Sequence, residues 1–364
     1  MATKKFVEVD PNMVTQTLEG EIGMVFRDVR EEPFKIYGLY DPRGQEVFKR
    51  LPDEIGQNVN PGVAKLYYCT AGGRVRFSTN SQHIVIRVKM PYEGKYDHMP
   101  RTNVCGFDLY EDTEMGSFYL GTFKPGIGDI SEGYEASLSL SGGRRERKLT
   151  INFPSYNPID SLKIGLCADA TLGEGAKYRH ELPIVYYGSS ITQGGCASRP
   201  GNTYQSMICR RNNLDFINLG FSGNGRAEVN MVEYLAGMKM LAFVADYDHN
   251  APKVDYLAET HCRMYKIMRE KNPDLPYIMM SRPDFQKSRA DSIARRNVVI
   301  DTYRYALAQG DKNVYYIDGE SIFRGPYEDS CTVDGTHPTD LGFALMADAI
   351  ERELMRALAK VKEL

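Results

Sequence analysis

Leu182-Pro183-Ile184-Val185-Tyr186-Tyr187-Gly188-Ser189-Ser190-Ile191-Thr192-Gln193-Gly194-Gly195 opens as a short apolar run, partly β-branched, and closes in a glycine-rich turn. An apolar run of that length reads as a buried parallel strand. The segment that follows, 203–213, can be helical, so Ser190 stands where a strand hands over to a helix. Open α/β sheets bind ligands at the carboxyl ends of their strands. A serine there can present its hydroxyl and aim its own N–H at a developing oxyanion. Serine and glycine are also ordinary in βα turns, so this stretch alone leaves both readings open.

Further strand candidates follow at 216–219, 241–245, 277–280 and 314–317. Helix candidates separate and follow them at 203–213, 228–236, 254–269, 289–309 and 340–360, with Pro273 and Gly310 as stop signals. Such alternation predicts one doubly wound parallel sheet of five strands with helices on both faces. The far end of the chain carries Val333-Asp334-Gly335-Thr336-His337-Pro338. A nucleophilic serine needs a base, and the base needs an orienting carboxylate. Asp334 and His337 stand three residues apart, just before the last helix, where a short turn can bring both under the same sheet edge.

With those residues in view, the chain resembles the SGNH (GDSL-type) hydrolases. Gly188-Ser189-Ser190-Ile191-Thr192 resembles the family's first block, with serine in place of the usual aspartate at Ser189. Asn218-Leu219-Gly220-Phe221-Ser222-Gly223-Asn224 is similar to the second, whose glycine donates a backbone N–H, and Asp334-Gly335-Thr336-His337 to the fifth. The third block lacks its usual glycine. Its counterpart is Ala245-Asp246-Tyr247-Asp248-His249-Asn250-Ala251-Pro252, with Asn250 in the place of the block asparagine. The resemblance implies a serine esterase with Ser190 as nucleophile, His337 as base and Asp334 as its orienting partner. It implies an oxyanion hole from the N–H groups of Ser190 and Gly223 and the amide of Asn250.

The first half reads differently. From about residue 20 to 170, short strand candidates alternate with Gly, Pro, Asn and Asp, and helical periodicity is scarce. Segments 136–140 and 149–153 alternate apolar and polar residues cleanly, and Gly142-Gly143 between them predicts a hairpin. Many short strands at this spacing read as a β-sandwich of jelly-roll kind. Here Gly106-Phe107-Asp108-Leu109-Tyr110 resembles the Gly-x-Asp-Leu-Tyr signature of a β-domain that precedes some SGNH catalytic domains. The expected organisation is therefore an N-terminal β-domain over 1–175 and a catalytic domain over 176–364. Asp108 and Tyr110 are either a turn carboxylate and a packed tyrosine or residues facing the cleft. With Tyr187 and Arg226 they are the candidate substrate contacts.

Composition narrows the function classes. The 364 residues carry a formal net charge of −3, with 42% apolar and 26% charged residues, an ordinary globular balance. The one basic cluster, Arg144-Arg145-Glu146-Arg147-Lys148, reads as a solvated loop, so neither nucleic acid nor a membrane is expected as partner. Seven cysteines without a Cys-x-x-Cys pair fit a reducing cytosol better than a disulfide scaffold. The start, Met1 to Asp10, has no apolar core of signal-peptide length, and a cytoplasmic location is the expectation. Asp246, Asp248 and His249 allow a rival reading as metal ligands, but neighbours in one loop need remote partners, and no metal or other cofactor is expected. The expected partner is a small ester, an acetylated sugar or oligosaccharide, with an acyltransferase on the same site as the alternative. A non-catalytic carbohydrate-binding protein is the third reading, and homo-oligomerisation stays open.

Overall fold

The computed structural model describes residues 23–361. The segment Met1 to Asp10, read above for an export signal, lies outside the described residues.

In the first half, two antiparallel sheets close on one core. One sheet runs Met24–Asp28, Ser161–Cys167, His83–Lys89, Tyr134–Ser139 in spatial order. The other runs Gly173–Glu174, Arg74–Thr79, Arg147–Asn152, Phe107–Thr113, Gly116–Phe123. Ile84, Ile86 and Ile164 from the first meet Val75, Phe77, Leu109 and Ile151 from the second, the interdigitated interior of a sandwich. The hairpin expected at Gly142-Gly143 is not formed. Among the described residues Tyr134–Ser139 pairs with His83–Lys89 alone, whereas Arg147–Asn152 pairs with strands of the opposite sheet. Clean alternation marks a strand with one buried face, but it is the same whichever sheet supplies that face. The two glycines, both at positive φ, carry the chain from one sheet to the other.

In the second half, five parallel strands stand in the order Phe216–Gly220, Ile184–Gly188, Ala242–Asp246, Tyr277–Met280, Val314–Ile317. The first strand of the half is an interior strand, with the second on one side and the third on the other. Its carboxyl end is therefore the topological switch point, the crevice where doubly wound sheets bind ligands. Successive residues of a strand point to opposite faces. Ile184 and Tyr186 thus pack with helices Tyr204–Asn212 and Asp340–Leu358. Val185 and Tyr187 pack on the other face with Val229–Gly237, Val254–Lys271 and Arg289–Ala308. No described helix is long and apolar enough to cross a membrane.

The two halves share a core. Leu51, Val63 and Tyr67 of the first half join the second cluster beside Tyr187 and Phe221. Between them Arg50, 2% exposed, donates to the carbonyls of Asn218 (3.1 Å), Gly220 (2.6 Å) and Leu66 (2.8 Å). A buried cation is tolerated when carbonyl oxygens replace its water. Arg50 thereby clamps the β-domain to the strand that carries the second sequence block.

Candidate active site

Ser190 opens the one-turn helix Ser190–Gln193 directly after the strand Ile184–Gly188. Ser189 caps it: the Ser189 hydroxyl accepts the Ile191 N–H at 3.1 Å. An aspartate caps a helix in the same way, which explains why serine can stand in the family's aspartate position. The turn is pressed between its neighbours. A Cβ on Gly188 would lie 2.0 Å from the Asp246 carbonyl oxygen, and one on Gly220 2.2 Å from the Gln193 nitrogen. Only glycine permits these approaches.

Ser190 Oγ lies 2.9 Å from His337 Nε2, and His337 Nδ1 lies 2.8 Å from Asp334 Oδ2. The carboxylate holds the Nδ1–H tautomer, leaving Nε2 with a lone pair toward the serine hydroxyl. Asp334 Oδ1 accepts the backbone N–H groups of His337 (2.8 Å) and Thr336 (3.0 Å). Partial burial pushes the Asp334 carboxyl up, but these bonds and the ring N–H outweigh it and hold it well below the usual carboxylate range. Lys287 Nζ steadies the same turn, donating to the Asp334 carbonyl (3.2 Å) and Thr336 Oγ1 (2.7 Å).

The three expected oxyanion donors sit on adjoining strand ends. The Ser190 N–H begins a helix and has no intrahelical acceptor. Gly223 lies in the turn after Phe216–Gly220, at φ 67°. The Asn250 Nδ2 donates one hydrogen to the Phe221 carbonyl at 2.9 Å, tying the third block to the loop that carries Gly223. An amide nitrogen carries two hydrogens, so this bond engages only one of them. His249 is not a substitute: its Nε2 lies 2.7 Å from Asp284 Oδ1 and its Nδ1 faces Asp248 Oδ1 at 3.4 Å. Burial acts against the charge of His249, but the two carboxylates prevail and raise its pKa to about 10. Beside it, burial raises Asp246 to about 6.

Three of the four candidate substrate contacts are structural instead. Asp108 is fully buried: Oδ1 accepts Asn152 Nδ2 (2.8 Å), and Oδ2 accepts the Gly201 N–H (2.8 Å) and Arg199 (2.9 Å). The Tyr110 hydroxyl bonds Arg199, and Arg210 stacks on its ring. Together they latch the β-domain to the loop that follows the nucleophile turn. Tyr187 is buried on the far face of the sheet, where its hydroxyl accepts the Ala227 N–H at 2.8 Å. An alternating strand position cannot reveal which partner fills the space beyond it. Arg226 is half-buried and donates to the Gly223 carbonyl (3.0 and 2.8 Å), so it braces the loop that carries Gly223.

The β-domain also supplies residues that sequence reasoning passed over. Tyr156 donates to the Ser190 carbonyl at 2.9 Å, and Asn103 Nδ2 to the Gly194 carbonyl at 2.8 Å. The His98 ring lies 5.1 Å from the His337 ring, centroid to centroid. Buried Cys196 bonds the His98 carbonyl through Sγ at 3.4 Å, and burial together with Asp334 raises its thiol to about 12. It is a packing residue without a thiolate. No local motif marks these contacts, because each joins residues about 30 to 240 positions apart along the chain. A groove of about 800 Å³ lined by Arg74, Arg145, Arg210 and Tyr110 lies elsewhere on the seam and includes none of the triad.

Comparison with known proteins agrees with this geometry. Residues 181–355 match the GDSL-like Lipase/Acylhydrolase family, and residues 24–172 match the N-terminus of the SGNH-hydrolase type of esterase. A structure described as a GDSL-like lipase from Bacteroides ovatus ATCC 8483 is 29% identical, covering 92% of this chain and 98% of its own, with a TM-score of 0.83. The salicylyl-acyltransferase SsfX3 from a tetracycline biosynthetic pathway is 20% identical over 93% of this chain and 98% of its own, with a TM-score of 0.73. An acetyl xylan esterase from the rumen bacterium Butyrivibrio proteoclasticus is 13% identical over 93% of this chain and 99% of its own, with a TM-score of 0.57. Among curated proteins none matches significantly. A serine–histidine–aspartate line at the switch point and family matches to both halves make this chain an SGNH-type esterase of the GDSL-like lipase/acylhydrolase family.

Proposed function

We propose that the protein hydrolyses short acyl esters, acetyl foremost, of carbohydrates or other small polar alcohols through an acyl-enzyme intermediate. The observation that carries the reading is the unbroken line from Ser190 Oγ through His337 to Asp334 at 2.9 and 2.8 Å. In this mechanism Ser190 Oγ attacks the ester carbonyl while His337 Nε2 takes its proton, and Asp334 stabilises the imidazolium. The N–H groups of Ser190 and Gly223 and the second hydrogen of the Asn250 amide receive the oxyanion. One such donor is worth about 3 kcal/mol. His337 then protonates the leaving alcohol, and water repeats the sequence to release the acid.

The preference for a short acyl group is supported by the crowding at the nucleophile. Ser190 is only 8% exposed, and a Cβ on neighbouring Gly195 would already stand 3.0 Å from the Tyr156 hydroxyl and 3.3 Å from the His337 ring. A polar alcohol is supported by the hydrophilic surroundings: His98, Asn103, Ser222 and Arg226 border the turn. The shared architecture with an acetyl xylan esterase points the same way. A cytoplasmic setting belongs to the same proposal, supported by seven cysteines held as free thiols, and so does a division of the chain near residue 175.

The test is a panel of acetylated mono- and oligosaccharides beside esters of increasing acyl length, with a fluorophosphonate label to report on Ser190. Acetyl esters turned over fastest, with labelling abolished in Ser190→Ala, is the expected result. A labelled enzyme that prefers long acyl chains would overturn the substrate reading. An added alcohol that captures the acyl group in preference to water would establish the acyltransferase instead.

A further inference from the structure

Behind the nucleophile turn, three buried side chains share an unusual pattern. Asp246, Asp248 and His249 bring ligand-type atoms within 4.8 Å of one another. Each holds one polar atom on a protein partner. Asp246 Oδ2 accepts Thr192 Oγ1 (3.2 Å) and the Tyr204 hydroxyl (3.4 Å). Asp248 Oδ2 accepts the Arg282 N–H (3.0 Å), and His249 Nε2 meets Asp284 Oδ1 at 2.7 Å. Of the remaining atoms, Asp246 Oδ1 is buried without a hydrogen-bond partner among the described residues, while Asp248 Oδ1 and His249 Nδ1, equally buried, face each other at 3.4 Å as an ion pair. Asp246 and Asp248 are 0% and 1% exposed, and buried polar atoms are seldom left bare.

We propose that Asp246, Asp248 and His249 form a structural binding site for a divalent transition-metal ion, Zn²⁺ or Mn²⁺, separate from the acyl-transfer chemistry. Two carboxylates and an imidazole are a donor set that suits these ions. One spacing fits as well. Oδ1 of Asp248 and Nδ1 of His249 stand 3.4 Å apart, the edge of a tetrahedron whose metal bonds are about 2.1 Å. The outer contacts fit a third way. A metal-ligating histidine characteristically donates its other N–H to a carboxylate, and ligating carboxylates are themselves hydrogen-bonded. Asp284 does the first here, and Arg282, Thr192 and Tyr204 do the second. The ion takes the place of the proton on Nδ1, and its two charges balance Asp246 and Asp248.

The position gives the ion a task. The Asp246 carbonyl accepts the Ser189 N–H at 3.1 Å, and Asn250 directly follows His249. An ion here ties the strand end beneath Ser190 to the turn that carries Asn250, and so fixes the spacing of the oxyanion hole. A single buried water, donating to both carboxylates and accepting from Nδ1–H, would satisfy the same three atoms and is the outcome that competes.

The test uses the full chain, stripped with chelator and titrated with Co²⁺ as a spectroscopic probe and then with Zn²⁺. The expected result is one bound equivalent with ligand-field bands of nitrogen and oxygen donors, displaced by Zn²⁺, and a melting temperature raised by a few degrees. The signal should vanish in Asp246→Asn and in His249→Gln and persist in Cys196→Ser. No saturable binding, or binding untouched by the first two substitutions, overturns the proposal in favour of the buried water. A thiolate charge-transfer band lost in Cys196→Ser overturns it too, because the ion would then sit on His98, Cys196 and His337, which also present ligand atoms within 4.8 Å of one another. If Asp246→Asn and His249→Gln do not fold, the wild-type spectrum and its persistence in Cys196→Ser decide between these outcomes.

Discussion

His337 and His249 stand on the same carboxyl edge of one sheet, each beside aspartates, and they are built for opposite tasks. His337 has a carboxylate on Nδ1 and a hydroxyl on Nε2. Its side chain is 19% exposed and that of Asp334 is 37% exposed. One side of the ring is anchored, and the other can exchange a proton with an attacking serine. His249 has a carboxylate near each nitrogen, and its side chain is 9% exposed between Asp248 and Asp284 at 1% and 3%. Residue type therefore does not separate a base from a brace. What separates them is whether one ring nitrogen is left facing a group that can react.

The largest effect should come from breaking the open side of the pair. Ser190→Ala and His337→Ala should each lower kcat on an acetyl ester by about 10³–10⁶, with the double variant little worse than either single one. Additive losses would mean that the two residues do not act as one unit. Next comes the anchored side. Asp334→Asn keeps the shape of the turn but loses the carboxylate that fixes the tautomer, and kcat should fall by up to about 10⁴. A smaller loss, about 10²–10³ in kcat with KM steady, is expected for Asn250→Ala, since its bond tightens mainly in the transition state. Asn250→Asp should be at least as damaging, because it exchanges a donor for a charge. Steady-state kinetics on one chromogenic acetyl ester measures all of these.

The same comparison shows what the sequence could and could not disclose. Ser190 was legible because its motif closes a strand at the sheet's carboxyl edge, and Asp334 and His337 because their motif lies in the loop between the fifth strand and the last helix, which begins at that same edge. All five parallel strands were legible because runs such as 277–280 are apolar throughout and β-branched or aromatic in part. The sandwich was legible as a class but not as a pairing: alternation in 136–140 and 149–153 marks one buried face and is silent on which sheet covers it. Asp108 and Tyr110 were read as open between two roles because a motif names residues and not their surroundings; Arg199 and Gly201, some 90 residues later, decide their role. Tyr156 and His98 were invisible for the same reason. The surroundings of Asp246, Asp248 and His249 were equally silent in sequence, because their hydrogen-bond partners Thr192, Tyr204, Arg282 and Asp284 come from remote segments.

The smallest effect on activity, and the sharpest test of the contrast, should come from Asp284→Asn in chelator-treated protein. The substitution leaves His249 with one carboxylate neighbour, as His337 has, and keeps a hydrogen-bond acceptor on Nε2. Because His249 does not meet substrate, kcat should stay within about threefold. Stability should fall by about 1.5–3 kcal/mol at neutral pH, the range for a hydrogen bond to a charged group. The pH dependence follows from the sign of the Asp284 shift. Burial pushes its carboxyl up, but His249 and Arg282 outweigh burial and hold it below its ordinary value. A carboxyl depressed in the folded state adds stability that is fully present above its unfolded pKa, about 3.9, and is lost as pH falls through the folded value. Wild type and Asp284→Asn should therefore differ most at neutral pH and converge below about pH 4. Urea denaturation at a series of pH values reads the gap directly. A gap that widens in acid would mean that Asp284 is protonated in the native protein, and the buried brace would then be a neutral hydrogen bond and not an ion pair.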